Sequence, residues 1–280
     1  MSTDAPKPFK KLLLTGAAGT LGRVLAQPLR AVCDELVLSD LPGPLQALAE
    51  PGAQPCDLAD APAVYRLLQG VDAVVHLGGI SVEGPFEAIL QSNLRGLHNL
   101  YEAARQHGTR RIVFASSNHV TGCYARAQTI GPQDSPRPDG NYGLSKLFGE
   151  GLASLYWDRY RIETVCLSIG TALPTPPDRR SLSTWLSWPD LARLVIAGLM
   201  APEVGCLVAY GMSDNTRSWW HTQDAWARLG YRPQDNAETF AAEVEHIEQP
   251  EGDMRRLQGG SFLGIGPFVD KSIDGAPFER

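Results

Sequence analysis

The chain lacks the features of secreted proteins, of proteins stabilised by a structural metal, and of membrane-spanning proteins. Its five cysteines are odd in number and include no CxxC pair, so neither a disulfide scaffold nor a structural zinc site is expected. No apolar run reaches the roughly 18 residues of a membrane helix. The first segment, MSTDAPKPFKK, has no apolar stretch of the kind that a secretory signal carries. Unpaired thiols fit a reducing compartment, and we expect a cytoplasmic location.

An excess of positive charge is also missing. Lys and Arg number 25 against 31 Asp and Glu, which gives a formal net charge of −6. We therefore expect neither a nucleic-acid nor a membrane partner, although one well-placed Arg would still hold an acidic small molecule. The 280 residues, 43% hydrophobic and 20% charged, suffice for one substantial domain or for one domain with a small appendage.

Short apolar segments alternate with amphipathic ones through the first 170 residues. Strands are predicted at 11–15, 35–40, 71–77, 111–115 and 164–169. Helices are predicted at 21–32, 62–69, 86–107 and 142–161. This order indicates the α/β class, with a doubly wound parallel sheet of the Rossmann type.

Beyond residue 171 the pattern loosens. Prolines interrupt it, and the segments that follow are predicted as helices at 190–200, 224–229 and 237–247 and a short strand at 207–210. We therefore expect a Rossmann core over 1–170 and a small C-terminal substrate-covering region over 171–280. The second part is expected to pack on the first as a single compact unit.

A glycine-rich motif connects the first predicted strand to the first predicted helix. It has the form GxxGxxG and comprises Gly16, Gly19, Thr20, Leu21 and Gly22. Glycines let the backbone approach a pyrophosphate, and the N-terminus of the helix offers unpaired N–H groups and a positive dipole end. The motif predicts a dinucleotide site over these five residues.

Carboxylates that follow the next strands indicate which dinucleotide is bound. Asp40 ends the second strand, 18 residues past Gly22, where a carboxylate accepts hydrogen bonds from the adenosine ribose. It would repel a 2′-phosphate, so we expect NAD rather than NADP. Asp57, followed by Leu58, would reach the adenine amino group; alternatively, it flanks the next helix.

A Tyr-x-x-x-Lys pair lies at the start of the helix predicted at 142–161. The spacing of Tyr142 and Lys146 puts both side chains on one face. We expect the ammonium to lower the pKa of the phenol towards working pH. Ser117 follows the strand at 111–115, at the edge of the sheet where ligands bind, and would hold a substrate hydroxyl near the phenolate.

In these motifs, over roughly residues 11–200, the chain resembles the extended branch of the short-chain dehydrogenase/reductase superfamily. The resemblance implies Tyr142 as general base. It implies that Lys146 holds the nicotinamide ribose and tunes Tyr142, and that Ser117 orients the substrate. Asn93 matches the family's helix Asn near the active site.

A closer resemblance, to the uronate dehydrogenases of that superfamily, rests on segments 77–81, 116–119, 169–171 and 179–187. It implies that the cofactor is contacted by Leu77, Gly78 and Gly79. It implies that the sugar site is formed by Ser81, Ser117, Asn118, His119, Tyr142, Thr171 and Arg180. The implied reaction is NAD-dependent oxidation of the C1 hydroxyl of free galacturonate or glucuronate to the aldarolactone.

Other interpretations remain open at this point. An NAD-dependent sugar-nucleotide epimerase or dehydratase would keep its NAD without net turnover, and a dinucleotide-sensing regulator would need no base. His119 is alternatively a structural turn residue. The sequence shows no His with Cys or carboxylates at metal-ligand spacing, so no metal is expected. Helices 86–107 and 142–160 would suit a four-helix interface in a homo-oligomer.

Overall fold

The computed structural model describes residues 6–266 and residue 268. In chain order its strands are β1 (Phe9–Thr15), β2 (Cys33–Asp40), β3 (Gln54–Pro55), β4 (Ala73–His76), β5 (Arg111–Ser117), β6 (Glu163–Ile169), β7 (Thr171–Ala172), β8 (Trp185–Leu186) and β9 (Cys206–Gly211). Its α-helices are α1 (Thr20–Arg30), α2 (Pro42–Leu48), α3 (Ala61–Leu67), α4 (Phe86–Ile89), α5 (Gly96–His107), α6 (Asn141–Tyr160), α7 (Ser181–Thr184), α8 (Trp188–Met200), α9 (Gln223–Leu229), α10 (Ala241–Val244) and α11 (Asp253–Arg256).

Seven strands form one parallel sheet in the order β3-β2-β1-β4-β5-β6-β9. The strand order reverses next to β1, which pairs with β2 on one side and β4 on the other. In open α/β sheets the crevice outside such a reversal is where ligands bind. The predicted doubly wound Rossmann-type fold is confirmed.

Successive side chains along each strand point to opposite faces of the sheet, and this alternation divides the core between the two faces. In β1, Leu12 and Leu14 belong to the cluster that packs with α1 and α8, whereas Leu13 belongs to the cluster that packs with α3, α5 and α6. All three side chains are fully buried. Because the sheet is covered on both faces, its central strands read as continuous apolar runs.

Several predicted elements differ from those observed. The helix predicted over 86–107 is divided into α4 and α5 by a wider, π-type turn at Leu90–Arg95, and it ends as expected at Gly108, whose φ is +78°. Helix α2 is absent from the prediction, and the helix predicted at 237–247 is a 3₁₀ turn followed by the short α10. The two-residue pair of β7 and β8 was also missed.

The chain beyond residue 171 contributes to the main sheet as well as to the cleft. Strand β9 pairs with β6 along its length, and α8 lies in the core cluster that contains β1. The division of the chain at residue 170 into a Rossmann core and a substrate-covering region stays a prediction. No helix among the described residues is long and apolar enough to cross a membrane.

Candidate active site

A cleft of about 940 Å³ opens along the carboxyl edge of the sheet. Its wall includes the loops after β1, β2, β4, β5 and β6 and the 259–262 segment from late in the chain. Most of the predicted site residues line it: Gly16, Gly19, Thr20, Leu21, Gly22, Asp40, Leu77, Gly78, Gly79, Ser81, Ser117, Asn118, His119, Tyr142, Lys146, Thr171 and Arg180. The fold therefore gathers residues that are separated by up to 164 positions in the sequence.

The glycine loop has the geometry that a dinucleotide phosphate requires. Gly16 has a φ of +70°, and a Cβ there would stand 2.8 Å from the backbone nitrogen of Gly78. Helix α1 begins directly after the loop, and no side chain in the described part of the chain caps its N-terminus. The N–H groups of its first turn are thus available to an anion.

Asp40 stands beside this loop at the end of β2. Its Oδ2 accepts a hydrogen bond from the Ala18 backbone N–H at 2.9 Å, and its Oδ1 accepts one from the Leu41 N–H at 2.8 Å. Both bonds fix the carboxylate beside the glycine loop. The position and the chemistry fit the ribose of NAD.

Three residues predicted to contact the cofactor lie outside the described lining of the cleft. The Asp57 Oδ1 accepts from the Ala59 N–H at 2.9 Å, as in a helix-flanking turn, and Leu58 packs against Gly78. The side chain of Asn93 bonds to both backbone groups of Ile80, at 2.8 and 3.0 Å. It therefore braces the loop after β4, and direct contact of these three residues with a cofactor stays a prediction.

Tyr142 and Lys146 lie one turn apart on α6, as predicted. The carboxylate of Glu83 accepts hydrogen bonds from the N–H groups of Asn141 and Tyr142, at 3.0 and 2.9 Å. Lys146 Nζ donates to the Ala115 carbonyl at 2.8 Å and lies 5.5 Å from the centroid of the Tyr142 ring. The first turn of α6 is thus bonded to the loop after β4, and the Lys146 ammonium is bonded to β5.

Burial dominates the acid–base properties of this pair. It raises the pKa of Tyr142 to about 12, whereas the hydrogen bond from Ser117 acts to lower it. It lowers the pKa of Lys146 to about 8. The expectation that Lys146 lowers the pKa of Tyr142 is wrong for this arrangement: the ammonium is engaged with a backbone carbonyl, and the Ser117 hydroxyl exerts the lowering influence.

His119 lines the cleft beside Tyr142, and two neighbouring side chains orient its ring. Its Nδ1 is 2.7 Å from Oδ2 of the buried Asp139. Its ring stacks on Phe262 with centroids 3.8 Å apart, and it meets the ring of Tyr142 edge-on at 5.7 Å. Among the described residues Nε2 has no hydrogen-bond partner, and it is the nitrogen that can meet a substrate.

Arg180 brings a cation to this end of the cleft. Its Nε and Nη2 donate to the Gln258 carbonyl at 2.9 and 2.6 Å, and Nη1 lies 3.3 Å from the Thr171 hydroxyl. The side-chain amide of Asn118 satisfies both of its polar groups in one orientation. In that orientation its nitrogen donates to the Ile169 carbonyl, and its oxygen accepts from Nη2 of Arg180 at 3.1 Å. Burial lowers the pKa of Arg180 to about 10, so it stays charged at neutral pH.

The neighbouring Arg179 points elsewhere. It pairs with Glu248 at 2.6 Å, and about half of its side chain is exposed. Arg180, by contrast, has no carboxylate within ion-pair distance in the part of the chain that the structure describes. Of these two adjacent arginines, Arg180 lines the cleft and Arg179 does not.

Sequence reasoning missed three residues that shape the site. Phe262 comes from a Gly-rich tail without periodicity, and Glu83 and Asp139 precede elements rather than lie on them. The sequence signals that do exist are a lone aromatic in Gly-Gly-Ser-Phe and an Asp-Gly pair just before the Tyr-x-x-x-Lys motif. No group of three or more metal-binding side chains is found among the described residues, and the absence of a metal stays a prediction.

Comparison with known proteins yields a consistent set of relatives. The model of the NAD dependent epimerase/dehydratase family matches residues 12–226. The uronate dehydrogenase of Pseudomonas syringae pv. tomato is 50% identical over 267 residues, which are 94% of this chain and 97% of that protein. The uronate dehydrogenase of Agrobacterium fabrum is 48% identical over 91% of this chain and 97% of its own length.

Solved structures give the same result. A mutant uronate dehydrogenase from Agrobacterium tumefaciens, complexed with NAD, superposes with a TM-score of 0.86 at 46% identity, over 93% of this chain and 99% of that one. A glucuronic acid dehydrogenase from Chromohalobacter salexigens also reaches 0.86, at 45% identity over 92% and 97% of the two chains.

Proposed function

The chain belongs to the NAD-dependent epimerase/dehydratase family, and on that premise we propose that it oxidises the C1 hydroxyl of a free hexuronic acid, galacturonate or glucuronate, with NAD as acceptor, to give the aldarolactone. The observation that carries the proposal is that one cleft holds both the Ser117–Tyr142–Lys146 group and Arg180, a cation without a carboxylate partner among the described residues. The first is suited to removing a hydroxyl proton, and the second to holding a carboxylate.

NAD, when bound, supplies the acceptor for the hydride that leaves C1. The chain's own contribution begins with binding and orientation. The first turn of α1 receives the pyrophosphate, and Asp40 receives the adenosine ribose. Repulsion by the Asp40 carboxylate disfavours a 2′-phosphate, which gives the preference for NAD.

Tyr142 and Ser117 handle the proton. The Ser117 Oγ holds the C1 hydroxyl, and the Tyr142 Oη accepts its proton. Lys146 holds the nicotinamide ribose, and its positive charge favours the phenolate once a ligand brings the groups together. Positioned general-base catalysis of this kind contributes about 10²–10⁴ in rate.

The sugar is oriented from its other end. Arg180 and Asn118 bind the carboxylate, because the guanidinium fork matches two carboxylate oxygens and Asn118 already lies beside Nη2. His119 offers Nε2 to a ring hydroxyl, and Ser81 and Thr171 add hydroxyl groups to the same wall. A neutral aldose would lack the contact with Arg180.

The experiment that tests this function mixes the pure protein with NAD and free sugars, uronic acids and nucleotide-sugars, and follows reduced cofactor at 340 nm, the wavelength at which NADH absorbs. We expect sustained turnover with free uronic acids alone. Conversion of a nucleotide-sugar without net cofactor reduction would instead support an epimerase. Binding of NAD with no turnover on any sugar would support a regulator.

Assembly and location are further parts of the proposal. Apolar side chains stand exposed along α4 and α6, namely Phe86, Leu144, Phe148 and Leu155. A second copy of the chain would cover them through the four-helix interface expected from helices 86–107 and 142–160. Light scattering of the purified protein would report the homo-oligomer, and the cytoplasmic location stays a prediction.

A further inference from the structure

A second cavity lies beside the cleft, on the other side of Arg180. Its volume is about 340 Å³, which is within the range of small-ligand sites. Arg180 and Gln249 border both cavities, so the two share a wall. The rest of the smaller cavity is rich in guanidinium groups, from Arg126, Arg179, Arg217 and Arg255.

Carboxylates balance only part of this charge. Glu248 lines the cavity and pairs with both Arg179, at 2.6 Å, and Arg255. Arg217 pairs with carboxylates of the 238–245 segment at 2.7 and 2.8 Å. Three of the five guanidinium groups are therefore paired.

Arg126 and Arg180 have no carboxylate within ion-pair distance among residues 6–266. Arg126 is held by backbone instead: Nε donates to Leu257 at 3.1 Å and Nη2 to Met254 at 2.7 Å, which leaves Nη1 without an acceptor in that range. Burial and then the positive charge of Arg126 lower the pKa of Arg180, whereas the carboxylates of Asp178 and Asp139 act to raise it, so the two cations repel each other against a partial compensation. An anion placed between them would remove that repulsion.

We propose that this cavity is a second anion site, separate from the catalytic cleft, that takes a small dianion carrying carboxylate or phosphate oxygens. Two guanidinium groups without carboxylate partners match two negative charges, and Nη1 of Arg126 is left to donate to such oxygens. Because Arg180 serves both cavities, a dianion bound here weakens the hold of Arg180 on an anionic substrate without excluding that substrate. This coupling rests on the proposed function, whereas the site itself does not.

The site is tested by calorimetric titration of the NAD-saturated protein, at fixed ionic strength, with malonate and separately with inorganic phosphate. Arg255→Gln removes a guanidinium from the cavity wall. Arg256→Gln is its matched control, because the adjacent Arg256 pairs with Asp253 and lies outside the lining. The two side chains are 50% and 67% exposed, so neither substitution disturbs the core.

We expect at least one of the two dianions to bind the parent and Arg256→Gln equally, and to bind Arg255→Gln about threefold more weakly. Whether malonate or phosphate binds tells a carboxylate ligand from a phosphate ligand. Equal affinity in all three proteins would show that the cavity wall does not contribute to binding the anion, and would overturn the proposal. Absence of binding by both probes would overturn it as well.

The coupling is tested by the KM for the uronate as the concentration of the bound dianion rises. A dianion in its own cavity raises the KM to a plateau, because a ternary complex forms. A dianion in the cleft raises the KM without limit, and that result would contradict the second site. Failure to oxidise any uronate would refute the proposed function alone, and the calorimetry would still decide the anion site.

Discussion

Replacement of Arg180 by Lys tests how the cleft distinguishes an acidic sugar from a neutral one. The guanidinium makes two hydrogen bonds to the Gln258 carbonyl and a third contact to Thr171, and these fix its plane. A Lys ammonium keeps the charge but can neither bridge Gln258 through two nitrogens nor present a planar pair of donors. The substitution therefore removes geometry while it retains charge.

The size of the expected loss in kcat/KM follows from the burial of Arg180. Burial already lowers the pKa of Arg180 to about 10, so its contacts are made in a poorly solvated environment. The substitution keeps the charge and loses a hydrogen bond to a charged group, which is worth about 1.5–3 kcal/mol. That corresponds to roughly a 10-fold to 150-fold loss in kcat/KM.

The assay compares kcat/KM for galacturonate and for galactose, the matching neutral aldose, in the parent and in Arg180→Lys. We expect the large loss for the acid and a much smaller one for the neutral sugar. Arg179→Lys serves as the control, since Arg179 pairs with Glu248 outside the cleft, and it should leave both values nearly unchanged. Equal losses on both sugars in Arg180→Lys would refute carboxylate recognition by Arg180.

Four further predictions follow from the site. Tyr142→Phe should lower kcat about 10²–10⁴-fold while NAD still binds, and near-normal turnover would exclude Tyr142 as the base. Asp40→Ala should narrow the preference for NAD over NADP, measured as the ratio of kcat/KM values; an unchanged ratio would show that Asp40 does not contact the ribose. Ser117→Ala removes the group that lowers the pKa of Tyr142, so the rising limb of the pH profile of kcat/KM should move to higher pH; a limb that stays in place would contradict that role. Glu83→Gln should lower kcat more than it raises KM, because a neutral amide cannot accept both N–H bonds at the start of α6 as a carboxylate does, whereas a change confined to thermal stability would make Glu83 purely structural.

Local sequence patterns were sufficient to predict the reactive groups and six of the seven strands of the sheet, all but the two-residue β3. The strand, glycine turn and helix around Gly16–Gly22 and the spacing of Tyr142 and Lys146 are determined within a few residues, so periodicity and motif define them. Helix α2 was missed because Leu41-Pro42-Gly43 reads as a turn, although proline is well tolerated in the first turn of a helix, and Pro42 occupies that place in α2.

Contacts between distant segments could not be predicted in this way. The stacking of Phe262 on His119 joins positions 143 residues apart, and Glu83 reaches the first turn of α6 from 59 residues away. The same limit explains the wrong expectation for the pKa of Tyr142. Spacing on a helix shows that Lys146 is near, but it shows neither the degree of burial nor the Ala115 carbonyl that holds the ammonium.

The proposed oxidation of a uronate is tested by its stoichiometry. Free galacturonate and NAD are incubated with the protein, and the reaction is followed by proton NMR and by the absorbance of reduced cofactor. We expect one NADH to form for each uronate consumed, with the aldarolactone as the first product. Loss of uronate without formation of NADH, or appearance of an epimerised uronate in its place, would contradict it.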